Sequence, residues 1–337
     1  MNLREVRQAA KERFQNICRV CRECNGVVCA GEFPGIGGVG SGASFINNYR
    51  ALAALHLKMR VLHDAGEPDT GLTLFGKQLA MPILGAAVAG ARLNFQDIIT
   101  EEALASAFVA GARAAGTLAM TGDGPDLSIY PAGLQAILAN GGQGIPVIKP
   151  RDQAAIVARL RDAENAGVVA AGIDVDAAGI LPMRAAGQAV GPKSVGELTE
   201  LVRGTRLPLI LKGIMCVEDA LIAREAGAAA IVVSNHGGRV LDHTPGTAQV
   251  LPEIARAVGE DLIVLVDGGI RSGGDVLKML ALGARAVLVG RPLAIGAVGG
   301  GADGVRLTLE QMRNELRAAM ILTGCASLGS VDAGVLA

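Results

Sequence analysis

Short apolar runs recur along the chain, separated by segments with apolar residues at helical spacing. The runs lack polar alternation and are rich in Val, Ile and Leu, which is typical of strands buried on both faces. Several of the separating segments end in Ala-Gly or Leu-Gly, a helix stop signal. The pattern predicts eight strands, over residues 82–88, 116–120, 146–148, 168–176, 207–211, 228–233, 262–266 and 284–289. It predicts helices between them, over residues 98–114, 151–166, 195–203, 217–226, 248–258 and 272–281.

Eight strand–helix units in one chain favour a closed parallel barrel over an open sheet. The predicted fold class is therefore α/β, a (β/α)8 TIM barrel over residues 71–337. A helix and a Cys-rich extension occupy residues 1–70. No low-complexity linker divides the chain.

Composition narrows the class of protein. Half of the 337 residues are hydrophobic, but there are only six Phe, two Tyr and no Trp, so the core is aliphatic. Lys plus Arg (31) nearly cancel Asp plus Glu (32), which argues against nucleic acid as a partner. The charged, helix-like N-terminus has no signal-peptide pattern, and no apolar segment is long enough to span a bilayer. We therefore expect a cytoplasmic protein.

Polar groups follow six consecutive predicted strands. Barrel active sites form at the C-terminal ends of the strands, because those loops converge on one mouth. Solvated loop charges would explain one or two such positions, but not six in a row. The residues are Lys149 (third strand), Asp174 and Asp176 (fourth), Lys212 (fifth), His236 (sixth), Asp267 (seventh) and Arg291 (eighth).

The sixth strand runs directly into the sequence SNHGGR. His236 is able to accept a proton near neutral pH. Arg239 is able to hold a planar carboxylate by two parallel hydrogen bonds. A base beside a carboxylate clamp indicates an enzyme that acts on a small organic acid.

Two Gly-rich loops, VDGGIRSGGD and VGRP, follow the seventh and eighth strands, and each carries an arginine. Barrels commonly bind phosphate at this place, so Arg271 and Arg291 favour a phosphate site over glycines that only make tight turns. Lys212 emerges from an apolar strand, where a fixed ammonium would stabilise an anionic reduced flavin. The alternative is a lysine that extends to solvent.

The motifs LKGI, SNHGGR, VDGGIRSGGDV and LVGRP, in this order and spacing, resemble the FMN-dependent α-hydroxy-acid oxidase and dehydrogenase family. This family includes glycolate oxidase, lactate oxidase, mandelate dehydrogenase and flavocytochrome b2. The resemblance runs from about residue 82 to residue 328 and includes the segments LDHTPGTAQVLPEI and ELRAAMILTG.

The resemblance implies a role for each matching residue. His236 would take the substrate hydroxyl proton, Asp176 would stabilise the resulting imidazolium, and Arg239 would bind the substrate carboxylate. Lys212 would lie by the flavin N1–C2 edge, and Ser234 would contact the ring. The ribityl phosphate would be held by Asp267, Gly268, Gly269, Arg271, Gly290 and Arg291.

The chain departs from this family at the substrate side. The family uses two substrate-facing tyrosines, whereas this chain has only Tyr49 and Tyr130, at other positions. Lys149 stands near the expected second tyrosine, and Arg184 is an offset candidate for a second family arginine. Substrate preference therefore does not transfer directly from the family.

Cys18, Cys21, Cys24 and Cys29 form a C-x2-C-x2-C-x4-C motif. Without an export signal, disulfides are not expected. Thiolates at this density indicate an iron–sulfur cluster or zinc, with redox-sensitive free thiols as the alternative.

These features together predict an FMN-dependent oxidoreductase that converts a small 2-hydroxy acid to a 2-oxo acid, by hydride transfer to flavin with His236 as base. One alternative is a flavin barrel of the type-2 isopentenyl diphosphate isomerase kind, and another is a non-catalytic flavin and thiol redox sensor. The sequence does not identify the electron acceptor. We expect a homo-oligomer without a nucleic-acid or membrane partner.

Overall fold

The computed structural model describes residues 1–337. Helix α1 (Leu3–Phe14) begins the chain, and a capping box between Asn2 and Glu5 satisfies its first backbone N–H groups. A long segment without helix or strand leads to helix α2 (Ala43–Ala53). A short antiparallel hairpin follows, β1 (Leu72–Leu74) and β2 (Lys77–Leu79).

Eight parallel strands then form a barrel. They pair in sequence order, and the last strand also pairs with the first. The gap between the first two is bridged at Gly85 and Ala119, where the Gly85 N–H donates to the Leu118 carbonyl at 3.0 Å. The predicted TIM barrel is confirmed. The strands are β3 (Ile83–Gly85), β4 (Met120–Thr121), β5 (Ile145–Ile148), β6 (Ala171–Asp174), β7 (Leu209–Ile214), β8 (Ala230–Val233), β9 (Ile263–Val266) and β10 (Ala286–Val289).

Helices surround the barrel and connect its strands. The last one continues through two non-helical glycines, Gly300 and Gly301. The helices over residues 91–95, 129–139 and 181–185 and the hairpin were not among the predicted elements. The helices are α3 (Ala91–Phe95), α4 (Glu101–Ala114), α5 (Ile129–Ala139), α6 (Gln153–Asn165), α7 (Leu181–Ala185), α8 (Val195–Arg203), α9 (Val217–Glu225), α10 (Thr247–Val258), α11 (Gly273–Ala281) and α12 (Arg291–Thr323).

Successive side chains along each strand point to opposite faces, and this divides the core into two layers. Side chains such as Ile210, Val232 and Leu265 fill the barrel interior, together with the leucines of the hairpin. Their neighbours Leu211 and Val233 point outward and pack against the helices. Because both faces are buried, the strands read as continuous apolar runs.

The N-terminal extension packs on the barrel. Val6, Ala10 and Phe14 of α1 are buried, and Ala10 and Phe14 belong to the same apolar cluster as the barrel helices. The division at residue 70/71 stays a prediction. No helix is both long enough and apolar enough to cross a membrane.

Candidate active site

A cavity lies at the carboxyl ends of the strands, where the strand-end charges were expected to converge. Its wall includes side chains that follow strands β5 to β10. The predicted residues that line it are Lys149, Asp174, Lys212, His236, Arg239, Asp267, Gly268, Gly269, Arg271, Gly290 and Arg291. Asp176 lies behind His236, outside the cavity wall.

His236 and Asp176 form a hydrogen-bonded pair. The imidazole Nδ1 lies 3.0 Å from Asp176 Oδ1, and no protein group bonds Nε2. This arrangement favours the tautomer with the proton on Nδ1, which leaves the Nε2 lone pair free to act as a base. His236 has a left-handed backbone (φ 59°), and its N–H donates to Ser234 Oγ at 3.0 Å.

A glycine allows Asp176 to approach strand β7. Gly213 has a φ of 110°, and a Cβ placed on it would lie 2.4 Å from the Asp176 Cβ. The pairing of β7 with β8 also shifts register between Lys212 and Ile214. The bulge and the missing side chain bring Asp176 beside the residues of β7.

Asp174 is the buried centre of an ion-pair network. It accepts hydrogen bonds from Lys149 Nζ at 2.5 Å and Lys212 Nζ at 3.1 Å, and it lies 3.5 Å from His236 Nδ1. Burial acts to raise the pKa of Asp174, but the charges of His236, Lys149 and Lys212 outweigh it and hold the pKa well below its usual range. Burial opposes the charge on Lys212, yet Asp174, Asp176 and Asp267 raise its pKa. Lys212 therefore stays cationic at the mouth.

Two predicted cofactor contacts, Ser234 and Asp267, are bonded to each other. Ser234 is fully buried and is not part of the cavity wall; its hydroxyl donates to Asp267 Oδ1 at 2.7 Å. Asp267 Oδ2 lies 3.8 Å from Lys212 Nζ, and burial raises the Asp267 pKa. A carboxylate repels phosphate, so the geometry assigns Asp267 to the lysine and Ser234 to Asp267.

Arg239 is a half-buried cation without a carboxylate partner. Its guanidinium donates to the Gly35 carbonyl at 2.5 Å and to Asn94 Oδ1 at 2.8 Å, and it lies 5.0 Å from the Phe33 ring centre. Burial, and then the charge of Arg291, lower the Arg239 pKa to about 9. Such a group stabilises an anion that enters the cavity. No sequence pattern pointed to Asn94 or Phe33.

The two loop arginines fit a phosphate. Arg291 donates to the carbonyls of Ile36, Gly37 and Gly237, and burial followed by the charge of Arg271 lowers its pKa to about 10. Arg271 Nη2 is buried and has no hydrogen-bond partner. An added Cβ at Gly290 would meet nothing closer than 3.6 Å, so this backbone is open to a ligand. An orphaned guanidinium nitrogen and open backbone at one end of the cavity suit the FMN phosphate.

Gly268 and Gly269 have a packing role as well. Both have positive φ, and a Cβ on either would lie within 3 Å of Asn48 in helix α2. Asn48 in turn donates to Asn235 Oδ1 at 2.7 Å and accepts from the Thr247 N–H at 3.0 Å. These glycines let α2 pack directly on the loop that follows strand β9, and nothing in the sequence pattern pointed to Asn48.

Neither tyrosine reaches the cavity. Tyr130 is buried in α5 and donates to the Arg159 carbonyl at 2.7 Å. Tyr49 donates to Glu23, outside the cavity wall. Arg184 is exposed on α7 and also lies outside the wall. Lys149 is the residue that occupies the mouth beyond strand β5.

The four N-terminal cysteines are free and half-buried, and all four line one small cavity that Arg291 also borders. No three of their sulfur atoms lie within 4.8 Å of one another. Burial raises the pKa of Cys18 to about 11, which disfavours a reactive thiolate there. Cys216 and Cys325 lie outside this cavity.

Comparison with known proteins agrees with this geometry. The sequence model of FMN-dependent dehydrogenases matches residues 36–185 and 184–337. The chain is 38% identical to 4-hydroxymandelate oxidase of Amycolatopsis orientalis over 331 residues, which cover 87% of this chain and 90% of that protein. It is 32% identical to glycolate oxidase 5 of Oryza sativa subsp. japonica over 324 residues, with 84% and 85% covered.

A crystal structure of mandelate oxidase superimposes with a TM-score of 0.81 at 35% identity, covering 100% of this chain and 97% of that one. The sequence similarity spans most of both chains, and the structural match extends to the N-terminal extension. The chain therefore belongs to the family of FMN-dependent 2-hydroxy-acid oxidases and dehydrogenases, with FMN as its cofactor.

Proposed function

We propose that this enzyme oxidises a small 2-hydroxy acid to the 2-oxo acid, with His236 as the base and Arg239 as the carboxylate clamp. The observation that carries the proposal is a base and an unpaired cation on the wall of one cavity: His236 with a free Nε2, and Arg239 without an anionic partner. FMN, when bound, supplies the acceptor for the hydride from the substrate α-carbon.

His236 takes the hydroxyl proton at Nε2. Asp176 holds the other nitrogen at 3.0 Å, so the ring is oriented and its cationic form is stabilised once the proton arrives. Asp174, 3.5 Å from the same nitrogen, adds a second negative charge. The imidazole thus needs no rearrangement to act as the base.

Arg239 binds the carboxylate of the substrate and so fixes the position of the substrate. Gly35 and Asn94 hold the guanidinium in place, and the Phe33 ring lies 5.0 Å from it. A hydroxyl next to a carboxylate is the feature shared by the substrates that name the relatives, mandelate and glycolate. A substrate of this class would meet the clamp and the base in one cavity.

Lys212 and Lys149 supply positive charge at the mouth. We assign Lys212 to the flavin ring, since Asp174 and Asp267 keep its ammonium in place. Lys149 stands where the resemblance leads one to expect a substrate-facing tyrosine, and its ammonium is held by Asp174. The arginines Arg271 and Arg291, with Gly290, would hold the phosphate. An isomerase is disfavoured, because it has no use for Arg239 as a carboxylate clamp.

Anaerobic mixing of the purified protein with a panel of 2-hydroxy acids tests the proposal. At least one member should bleach the bound flavin, and His236→Ala should keep the flavin but lose the bleaching. A flavin that no member of the panel reduces would favour the redox-sensor alternative. An unchanged reduction rate in His236→Ala would remove His236 from the role of base.

Three further proposals concern the surroundings of the site. We infer that the four N-terminal cysteines bind a metal group, because four free thiols line one cavity. Metal analysis of anaerobically purified protein tests this proposal.

We also propose a homo-oligomer, to be tested by light scattering. We also propose a cytoplasmic location, which cell fractionation tests.

A further inference from the structure

The segment from residue 15 to residue 42 has no helix or strand, yet it is fixed at several points. Arg7 donates to the Cys21 carbonyl at 2.9 Å, and Arg271 donates to the Cys24 carbonyl at 3.1 Å. Farther along, Arg239 and Arg291 donate to the carbonyls of residues 35, 36 and 37. Long ordered segments of this kind are uncommon and usually functional.

The cysteines of this segment surround a cavity that is mostly apolar. Ile17, Val28, Ile36 and Ile295 form part of its wall with the four thiols. The Val20 N–H donates to Cys18 Sγ at 3.4 Å, the type of contact that tunes a metal-bound thiolate.

Cationic groups border the same cavity. Arg19 and Arg291 lie in its wall, and Arg271 is bonded to the Cys24 carbonyl. Arg291 is shared with the active-site cavity, where it faces the proposed phosphate site. Four thiolates and a metal group that carries net negative charge would be balanced by these guanidinium groups.

The sulfur atoms lie farther apart than a zinc site requires. Zinc binds thiolates at about 2.3 Å in a tetrahedron, so its four sulfur ligands lie about 3.8 Å apart. In this structure no three of the sulfur atoms lie within 4.8 Å of one another. An iron–sulfur cluster separates its ligands farther, because each thiolate binds a different corner of the cluster. The first three cysteines also match the C-x2-C-x2-C spacing of ferredoxin-like clusters, whereas the fourth comes one residue later and is not followed by proline.

We propose that Cys18, Cys21, Cys24 and Cys29 bind an iron–sulfur cluster in the cavity next to the FMN phosphate site. This inference rests on the metal-binding proposal above and specifies which group binds. The cluster cross-links a segment that has no helix or strand, and it places a one-electron redox group on the other side of Arg291.

The test uses the full-length flavoprotein purified without oxygen. Iron and acid-labile sulfide are quantified beside FMN, and spectra are recorded before and after dithionite reduction. We expect iron and sulfide in stoichiometric amounts, with visible absorption beyond that of FMN and an electron paramagnetic resonance signal after reduction. Cys21→Ser should lose most of the iron and sulfide, whereas Cys216→Ser, outside the cavity, should keep both.

FMN content and the unfolding temperature show whether Cys21→Ser is folded. If it is not, the wild-type protein is stripped of iron and then supplied with iron and sulfide, and the visible band should return. One zinc ion per chain without sulfide would overturn the cluster and leave the metal site standing. Metal-free protein with four titratable thiols would overturn both. Neither outcome bears on 2-hydroxy-acid oxidation, which the His236→Ala reduction assay tests separately.

Discussion

Replacing Asp176 with Asn tests how the base is activated. Asp176 Oδ1 lies 3.0 Å from His236 Nδ1, and Asp176 Oδ2 is buried without a partner. The substitution keeps the shape of the side chain but removes the charge that stabilises the imidazolium. Arg239 and the FMN phosphate arginines are not among its contacts.

The expected decrease in the rate of flavin reduction is set by the loss of one charge-assisted hydrogen bond. Such a bond contributes about 1.5–3 kcal/mol, which corresponds to a decrease of about 10- to 150-fold in rate. Asp174 lies 3.5 Å from the same nitrogen, but it is already bonded to Lys149 and Lys212, so it compensates only in part. If the amide nitrogen turns toward Nδ1, the imidazole is held in the wrong tautomer and the decrease approaches roughly 10⁴-fold.

The assay is anaerobic stopped-flow reduction of the bound flavin by a substrate found in the panel. The limiting rate of reduction should fall as stated, while the dissociation constant of the 2-oxo product changes little, because the carboxylate clamp is intact. Gln311→Ala, which changes a side chain exposed on α12, serves as the matched control and should leave both values unchanged. A wild-type rate of reduction in Asp176→Asn would refute the role of the pair.

The barrel could be predicted because its strands are buried on both faces. Each of the eight predicted strands overlaps an observed strand, although the second observed strand begins at Met120 rather than Gly116. The predicted fourth strand was too long at its C-terminal end, since residues 175–179 form a 3₁₀ helix that carries Asp176. Helix α5 was missed because it is apolar almost all round and lacks the periodicity of an amphipathic helix.

The charged residues of the site could be predicted because each one follows a strand. The groups that hold these charged side chains in place could not be predicted. Asn94 and the carbonyls of the N-terminal segment are brought to Arg239 and Arg291 only by tertiary packing. Ser234 and Asp267 follow strands but turn inward toward Lys212 and the interior, a direction that the sequence pattern does not encode.

Four further predictions follow from the same contacts. Arg271→Ala or Arg291→Ala should weaken FMN binding by about 1–3 kcal/mol; equilibrium dialysis measures this, and unchanged affinity in both variants would remove the phosphate assignment. Gly213→Ala should slow flavin reduction, because its Cβ would lie 2.4 Å from that of Asp176 at a φ of 110°; wild-type kinetics in a folded variant would contradict this contact. Arg239→Lys should raise KM about tenfold with a smaller effect on kcat, because an ammonium loses one of two parallel hydrogen bonds worth about 1.5 kcal/mol; kinetics with unchanged KM would exclude the clamp. The last prediction concerns pH. Burial and Arg291 lower the pKa of Arg239 to about 9 in the protein without a bound anion. Only the protonated guanidinium attracts a carboxylate, so affinity for a 2-oxo acid should be constant below pH 9. Above it, affinity should fall by up to about tenfold per pH unit, because the protonated fraction of Arg239 falls about tenfold with each unit. Spectral titration of the flavin with the 2-oxo product, from pH 7 to 10.5, measures the profile without proton abstraction by His236. Affinity that stays constant to pH 10.5 would show that the carboxylate is bound by another group.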